Sequence, residues 1–337
     1  MMPSTSQQLL PTAPRQIPGP DGLPRFGRFA GAAESIDWTR LDAPYARSAF
    51  WRRTHHKRWH YVALATDALF CGMAVIDIGW ATAAFAYAFD RRLGKEVAAY
   101  AQNGLPGLGA QVAQHPGQGS SFRWLGNRIA CTPLDGKRHQ VLLHCGDFRI
   151  DAELDAGGSA PLLLAVGPIC GGSVHATQKS PGMPVTGKVQ AGGRVYDLRG
   201  GVASYDYSNG LLARRTAWRW ASAHSLELGF NLQDGYFEDR ENALWLDGCL
   251  IPLAHARFDY DPAHPLAPWH IYTDDGLLDL HFRPEGARRA NKRLLIAASR
   301  YIQPIGTFSG WVKPAPDAPP RAVERLFGMT EDHWARW

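Results

Sequence analysis

The chain has 337 residues, 45% hydrophobic and 20% charged, with 35 Gly and 24 Pro, a balance that excludes a disordered or fibrous protein and predicts a sizeable core. A net charge of +5 is too slight to mark a nucleic-acid binder, and 12 Trp amid many turn formers favour short strands around a ligand-lined interior over a helical bundle. The length allows two domains.

Residues 1–20 read as a polar, Pro-rich flexible leader with neither the apolar core of a secretory signal nor a lipidation motif, so the expected location is the cytoplasm. The run Arg52-Arg53-Thr54-His55-His56-Lys57-Arg58-Trp59-His60-Tyr61 is basic and aromatic. It suits either a solvated strand entrance or an anionic partner, and a peripheral membrane contact through residues 52–60 is one expectation. Its histidines lack a carboxylate or Cys partner at a defined spacing, so no metal is assigned. Tyr61 to Phe89 is apolar but broken by Asp67 and Asp77, too short a run for a membrane span. Helices are expected over 95–102, 288–295 and 321–337, and residues 102–120 read as a long loop that includes the Gly-rich 104–109. Phe148, Ile150, Ala152 and Leu154 alternate with charged residues, as do Leu278, Leu280 and Phe282 after the Asp275-Gly276 turn. Further turn pairs stand at 135–136, 157–158, 192–193 and 247–248. The whole reads as an all-β antiparallel meander, enough for two closed barrels or one large sandwich. Residues 313–320 form a Pro-rich linker. Cys71, Cys131, Cys145, Cys170 and Cys249 are widely spaced and read as reduced core residues.

No phosphate-binding loop, zinc-protease or serine-hydrolase motif is present. The densest cluster is Tyr205-Asp206-Tyr207-Ser208-Asn209-Gly210, then Arg214-Arg215, then Trp218-Arg219-Trp220. On a strand Trp218 and Trp220 share a face, which is either core or pocket wall. A carboxylate beside paired indoles in a low-dielectric cavity keeps its proton, which makes Asp206 a candidate acid, and the indoles could stabilise a developing cation. Asn231, Glu241, Trp245, His281, His175 and Lys179 are further candidates to converge on it. Carboxylates near Trp also suit sugar binding or cleavage.

Lys57 to Tyr61, Asp77-Ile78-Gly79-Trp80, Gln178-Lys179, Asp206 to Gly210, Arg215 to Trp220, Asn231-Leu232, Glu241 to Trp245 and Phe308-Ser309-Gly310 resemble a bacterial family known as a domain of unknown function. More remotely, Asp-x-x-x-Gly followed by Trp-x-Trp resembles the AttH and carotenoid 1,2-hydratase group. That resemblance implies two tandem lipocalin-like barrels, over 21–200 and 201–312, before a linker and short helix at 313–337. It also implies hydration, dehydration or isomerisation of an apolar small molecule by acid catalysis, without metal or organic cofactor. Asp206 would match the acidic position and Trp218 and Trp220 the aromatic pair, with Tyr207 or Glu241 assisting proton transfer and Arg214 and Arg215 orienting a polar head. The sequence departs from the hydratases at Tyr207, where they carry His, and a phenol that titrates near pH 10 is a poorer proton shuttle. The rival expectation is a lipid carrier that binds without reaction.

Overall fold

The computed structural model describes residues 9–293 and 297–337. The protein is almost entirely antiparallel β, with a single α-helix, Ala49–His55, among the described residues. Among the described residues no helix is long and apolar enough to cross a membrane.

The strands form two barrel-like sheets, the tandem lipocalin-like arrangement. In the first, a meander of His56–Ala65, Leu69–Asp77, Thr82–Asp90 and Lys95–Gly104 joins Gly201–Leu211, then Met183–Ala191 and the ladder Phe148–Asp155 to Ala110–Val112. Ala110–Val112 returns against Leu69–Asp77 and rounds the sheet into a barrel. The second sheet runs from Cys249–Pro252 through Leu228–Gly235, Arg215–His224, Arg321–Arg336, Ala298–Val312 and Leu278–Arg293 to Ala256–Asp259. Buried residues alternate with exposed or half-buried ones along Phe148–Asp155, which shows why the sequence pattern was readable there. The turn pairs at 135–136, 192–193, 247–248 and 275–276 each close a hairpin. Gly157-Gly158 instead leads to Leu163–Pro168, which pairs with Val174–Lys179.

Several expectations fail for identifiable reasons. Lys95–Gly104 is a strand paired to Thr82–Asp90, since ladder bonds and packing outweigh the helix propensity of its alanines. The expected helix at 288–295 is, from Arg288 to Arg293, the end of a long strand, and its last two positions lie outside the described residues. The expected C-terminal helix is the strand Arg321–Arg336, hydrogen-bonded on both edges inside the second sheet. Gly201–Leu211, expected to open the second barrel, lies within the first sheet. Of the expected leader, residues 1–8 lie outside the described residues, while Gln16–Ile17 pairs with Ser35–Ile36 and buries Ile17. Residues 102–120 hold the strand Ala110–Val112 rather than a plain loop. Cys71 and Cys131 are buried, but Cys170 and Cys249 are exposed and so are not core residues.

Each barrel is filled by its own apolar core. A third cluster forms where the outer faces of the two sheets meet, with Tyr61, Phe70 and Tyr87 from the first barrel against Trp220, Ile305 and Met329 from the second. Gly72 permits this close approach, because a Cβ there would stand 2.5 Å from Tyr61 Oη and 2.6 Å from Tyr87 Cε1. Buried polar groups collect along the same seam.

Candidate active site between the two barrels

Antiparallel register places Lys179 directly opposite Asp206, so the two side chains leave the first sheet on the same face. Lys179 Nζ lies 2.7 Å from Asp206 Oδ1 and 2.9 Å from Glu241 Oε2. Glu241 stands in the connection between Leu228–Gly235 and Ala243–Leu246 of the second barrel, where Asn231 Nδ2 donates to its carbonyl at 2.9 Å. Neighbouring Asn242 pins the same loop, accepting from Gln233 N at 2.6 Å and donating to Ala254 O at 3.0 Å. One ammonium therefore joins a carboxylate from each barrel, and all three groups are buried.

A lone cation between two carboxylates leaves one negative charge in excess if both ionise. Burial and the Asp206 charge push the Glu241 carboxyl above its ordinary range, against the pull of Lys179. Desolvation works against the charge on Lys179, but the two carboxylates outweigh it and hold its ammonium above the ordinary value. Burial, then the charges of Glu241 and Asp206, push the Tyr236 phenol far up, so it stays neutral.

The cluster opens on a cavity of about 100 Å³ lined mainly by rings, among them Trp59, Tyr61, Phe85, Trp218, Trp220 and Tyr236. Trp59 and Trp218 stack in near-parallel planes with centroids 6.4 Å apart, and Lys179 Nζ lies 5.7 Å from the centre of the Trp220 ring. Trp220 is locked by its Nε1–H donating to Asn231 Oδ1 at 2.8 Å, and Trp218 by Nε1–H donating to Glu331 Oε1 at 2.9 Å. Glu331, His333, Tyr301 and Trp337 complete the wall on the second-barrel side.

The structure thus brings together Asp206, Glu241, Lys179, Trp218 and Trp220, with Asn231 as a support. His175 lies beside them, its Nε2 3.4 Å from Tyr236 Oη, and burial followed by the Lys179 charge lowers its pKa to about 3. Other candidates lie elsewhere. Tyr207 points into the first barrel, donating to Ala113 O at 2.8 Å, because successive strand residues face opposite ways. Arg214 and Arg215 are exposed to solvent. Trp245 is buried in a separate cluster and donates to Pro161 O at 2.8 Å. His281 sits on the outer surface of the second barrel, stacked on His270, and with Asp279 these are the described residues arranged as a set of potential metal ligands. Within the basic run, Lys57 Nζ caps the carbonyls of Thr54 and Ile78, Arg58 pairs with Asp77 at 2.6 Å, and His60 is buried, which leaves Arg53 exposed.

Sequence reasoning missed Tyr236, Gln303, Glu331 and His333. The last two carried a usable signal, since residues two apart share a face once the tail is read as a strand.

Residues 13–337 match the family described as Domain of unknown function (DUF2804). The chain belongs to that family. No curated protein matches the sequence. Among solved structures, an AttH-like protein from Nitrosomonas europaea is 15% identical, with a TM-score of 0.56, over 87% of this chain and 96% of its own. Kievitone hydratase from Nectria haematococca is 11% identical, with a TM-score of 0.54, over 93% and 98%. CghA, solved with Sch210972, is 10% identical, with a TM-score of 0.56, over 84% and 88%. At these identities the likeness establishes the two-barrel fold and leaves the chemistry to this chain's own residues.

Proposed function

We propose that this DUF2804 member binds an apolar small molecule in the inter-barrel cavity and catalyses hydration, dehydration or isomerisation at a carbon–carbon double bond, without metal or organic cofactor. The observation that carries this reading is the buried Lys179–Asp206–Glu241 cluster opening onto a ring-lined cavity. Glu241 is the proton donor, kept protonated by burial and by the Asp206 charge. Asp206 holds Lys179 in place and supplies the like charge that retains the proton on its neighbour. The rings of Trp218 and Trp220 wall the cavity, where they pack on the apolar substrate and keep bulk water from the proton donor. Kievitone hydratase, whose fold this chain resembles, supports the reaction class.

The test is mass spectrometry of organic-soluble molecules that co-purify from the native host with the wild-type protein and with Glu241→Gln. A stoichiometric apolar compound that accumulates or changes structure in the variant supports an enzyme. The same compound, unaltered in both, supports a carrier and refutes catalysis, while an empty cavity in both refutes the apolar ligand.

A further inference from the structure

On the second-barrel wall of the cavity, Glu331 and His333 stand two residues apart on the strand Arg321–Arg336 and share its inward face. Three donors converge on the Glu331 carboxylate. Trp218 Nε1 and His333 Nδ1 approach Oε1 at 2.9 and 3.3 Å, and Gln303 Nε2 approaches Oε2 at 2.9 Å. Gln303 is itself held through its carbonyl oxygen by the Tyr87 hydroxyl, so the carboxylate is fixed from the seam between the barrels. An ionised carboxylate only accepts, so the proton of a neutral His333 belongs on Nδ1 and its lone pair on Nε2. That nitrogen faces an O–H donor, the Ser299 hydroxyl at 2.9 Å. The imidazole also packs against the Trp218 ring with centroids 4.1 Å apart, which fixes its plane. An imidazole oriented in this way, with Nε2 as its accepting nitrogen, is the arrangement of a general base, and it lines the same cavity as Glu241.

We infer that His333, oriented by Glu331, is the proton acceptor that works with Glu241, and that the site is built for paired acid–base addition or elimination of water. This rests on the proposed reading of the cavity as a reaction site. It narrows the substrate class to apolar molecules with a double bond conjugated to an electron-withdrawing group, or the corresponding β-hydroxy compounds. In dehydration, His333 removes the C–H proton, that electron pair becomes the double bond, and the departing hydroxyl leaves as water with the Glu241 proton. Hydration is that elimination reversed: the Glu241 carboxylate takes a proton from water as the oxygen bonds to the electron-poor carbon, and the π electrons move to the adjacent carbon, which takes its proton from the His333 imidazolium. No oxidant or reductant enters. Glu331 is a positioning residue.

The test uses the full-length protein and 5-nitrobenzisoxazole, an apolar probe in which removal of one C–H proton breaks the N–O bond and releases a coloured phenolate. Quenching of Trp fluorescence reports its entry beside Trp59, Trp218 and Trp220. The wild type is expected to bind and convert the probe. His333→Gln should bind it equally and convert it roughly 10²-fold more slowly. Binding without conversion in the wild type, or equal conversion by His333→Gln, overturns the assignment of His333 while leaving the cavity reading intact. Failure to bind at all overturns both. Nitrogen-detected NMR of the imidazoles adds an independent readout. His333 should carry its proton on Nδ1, and Glu331→Gln, whose amide donates as well as accepts, should mix the tautomers. A wild-type signal from the Nε2–H form refutes the inference.

Discussion

Removing the ammonium of Lys179 while keeping its length, as in Lys179→Met, tests whether the buried charges act as one unit. In the folded chain the Lys179, Asp206 and Glu241 side chains are 5%, 11% and 4% exposed, and each carboxylate lies within 3 Å of the same nitrogen, at 2.7 and 2.9 Å. Deleting one member of such a group leaves uncompensated charge in a low-dielectric site, a loss of about 3–5 kcal/mol. The two carboxyls escape part of that cost by binding protons, so the folded variant holds protons more tightly than its unfolded chain. Where the folded state binds more protons, stability falls as pH rises. The deficit should therefore be full near about pH 8 and shrink toward about pH 5, as the carboxyls neutralise. Urea denaturation of wild type and variant at several pH values measures it. Asp206→Asn in the Lys179→Met background should recover part of the loss, since one stranded charge has gone. A deficit below about 1 kcal/mol, or one that is flat with pH, would refute the claim that these groups share one buried charge balance.

Tyr207→Phe removes the hydroxyl that donates to Ala113 O and accepts from Asn209 Nδ2 inside the first barrel. It should cost about 1–3 kcal/mol in denaturation while leaving any co-purifying ligand unchanged, because the ring faces away from the cavity. Lys57 is fully buried, and desolvation lowers its pKa from 10.5 to about 7. Its folded form sheds a proton that the unfolded chain keeps, so wild-type stability should climb as pH rises above 7, and Lys57→Met should flatten that climb.

The barrel architecture was readable because half-buried strands impose a period of two, as in Phe148–Asp155 and Leu278–Phe282. The same period that put Trp218 and Trp220 on one wall also separates Asp206 from Tyr207. Assigning both residues to one pocket ignored that alternation. Lys179 could be named but not placed, because its partnership with Asp206 depends on the register of two strands separated by a long stretch of chain. Glu241 stands in a connection between strands, where no periodicity predicts direction. Glu331 and His333 were hidden by a helical reading of the tail. On a helix, residues two apart diverge, whereas the strand Arg321–Arg336 turns both toward the cavity. Arg214 and Arg215 were attractive for their charge, yet Arg214 lies where the chain passes between sheets, Arg215 opens the strand Arg215–His224, and both stay in water.

Both barrels fill their interiors with aliphatic and aromatic side chains, so a reactive charge cluster is placed at the seam, where polar groups from each sheet meet. The site then exists only while the two outer faces remain in contact, and a substitution far from the charges should disable it by prising them apart. Gly72 offers such a test. A methyl group there falls on Tyr61 Oη and the Tyr87 ring, and these residues reach the second barrel through Met329 Sδ and Gln303. Overpacking of this kind costs about 1–3 kcal/mol, and the displaced rings would carry the cavity wall with them. Gly72→Ala should therefore lower ligand occupancy while leaving the Lys179 cluster chemically complete. A variant that binds and unfolds like the wild type would show that contact at this seam does not govern the site.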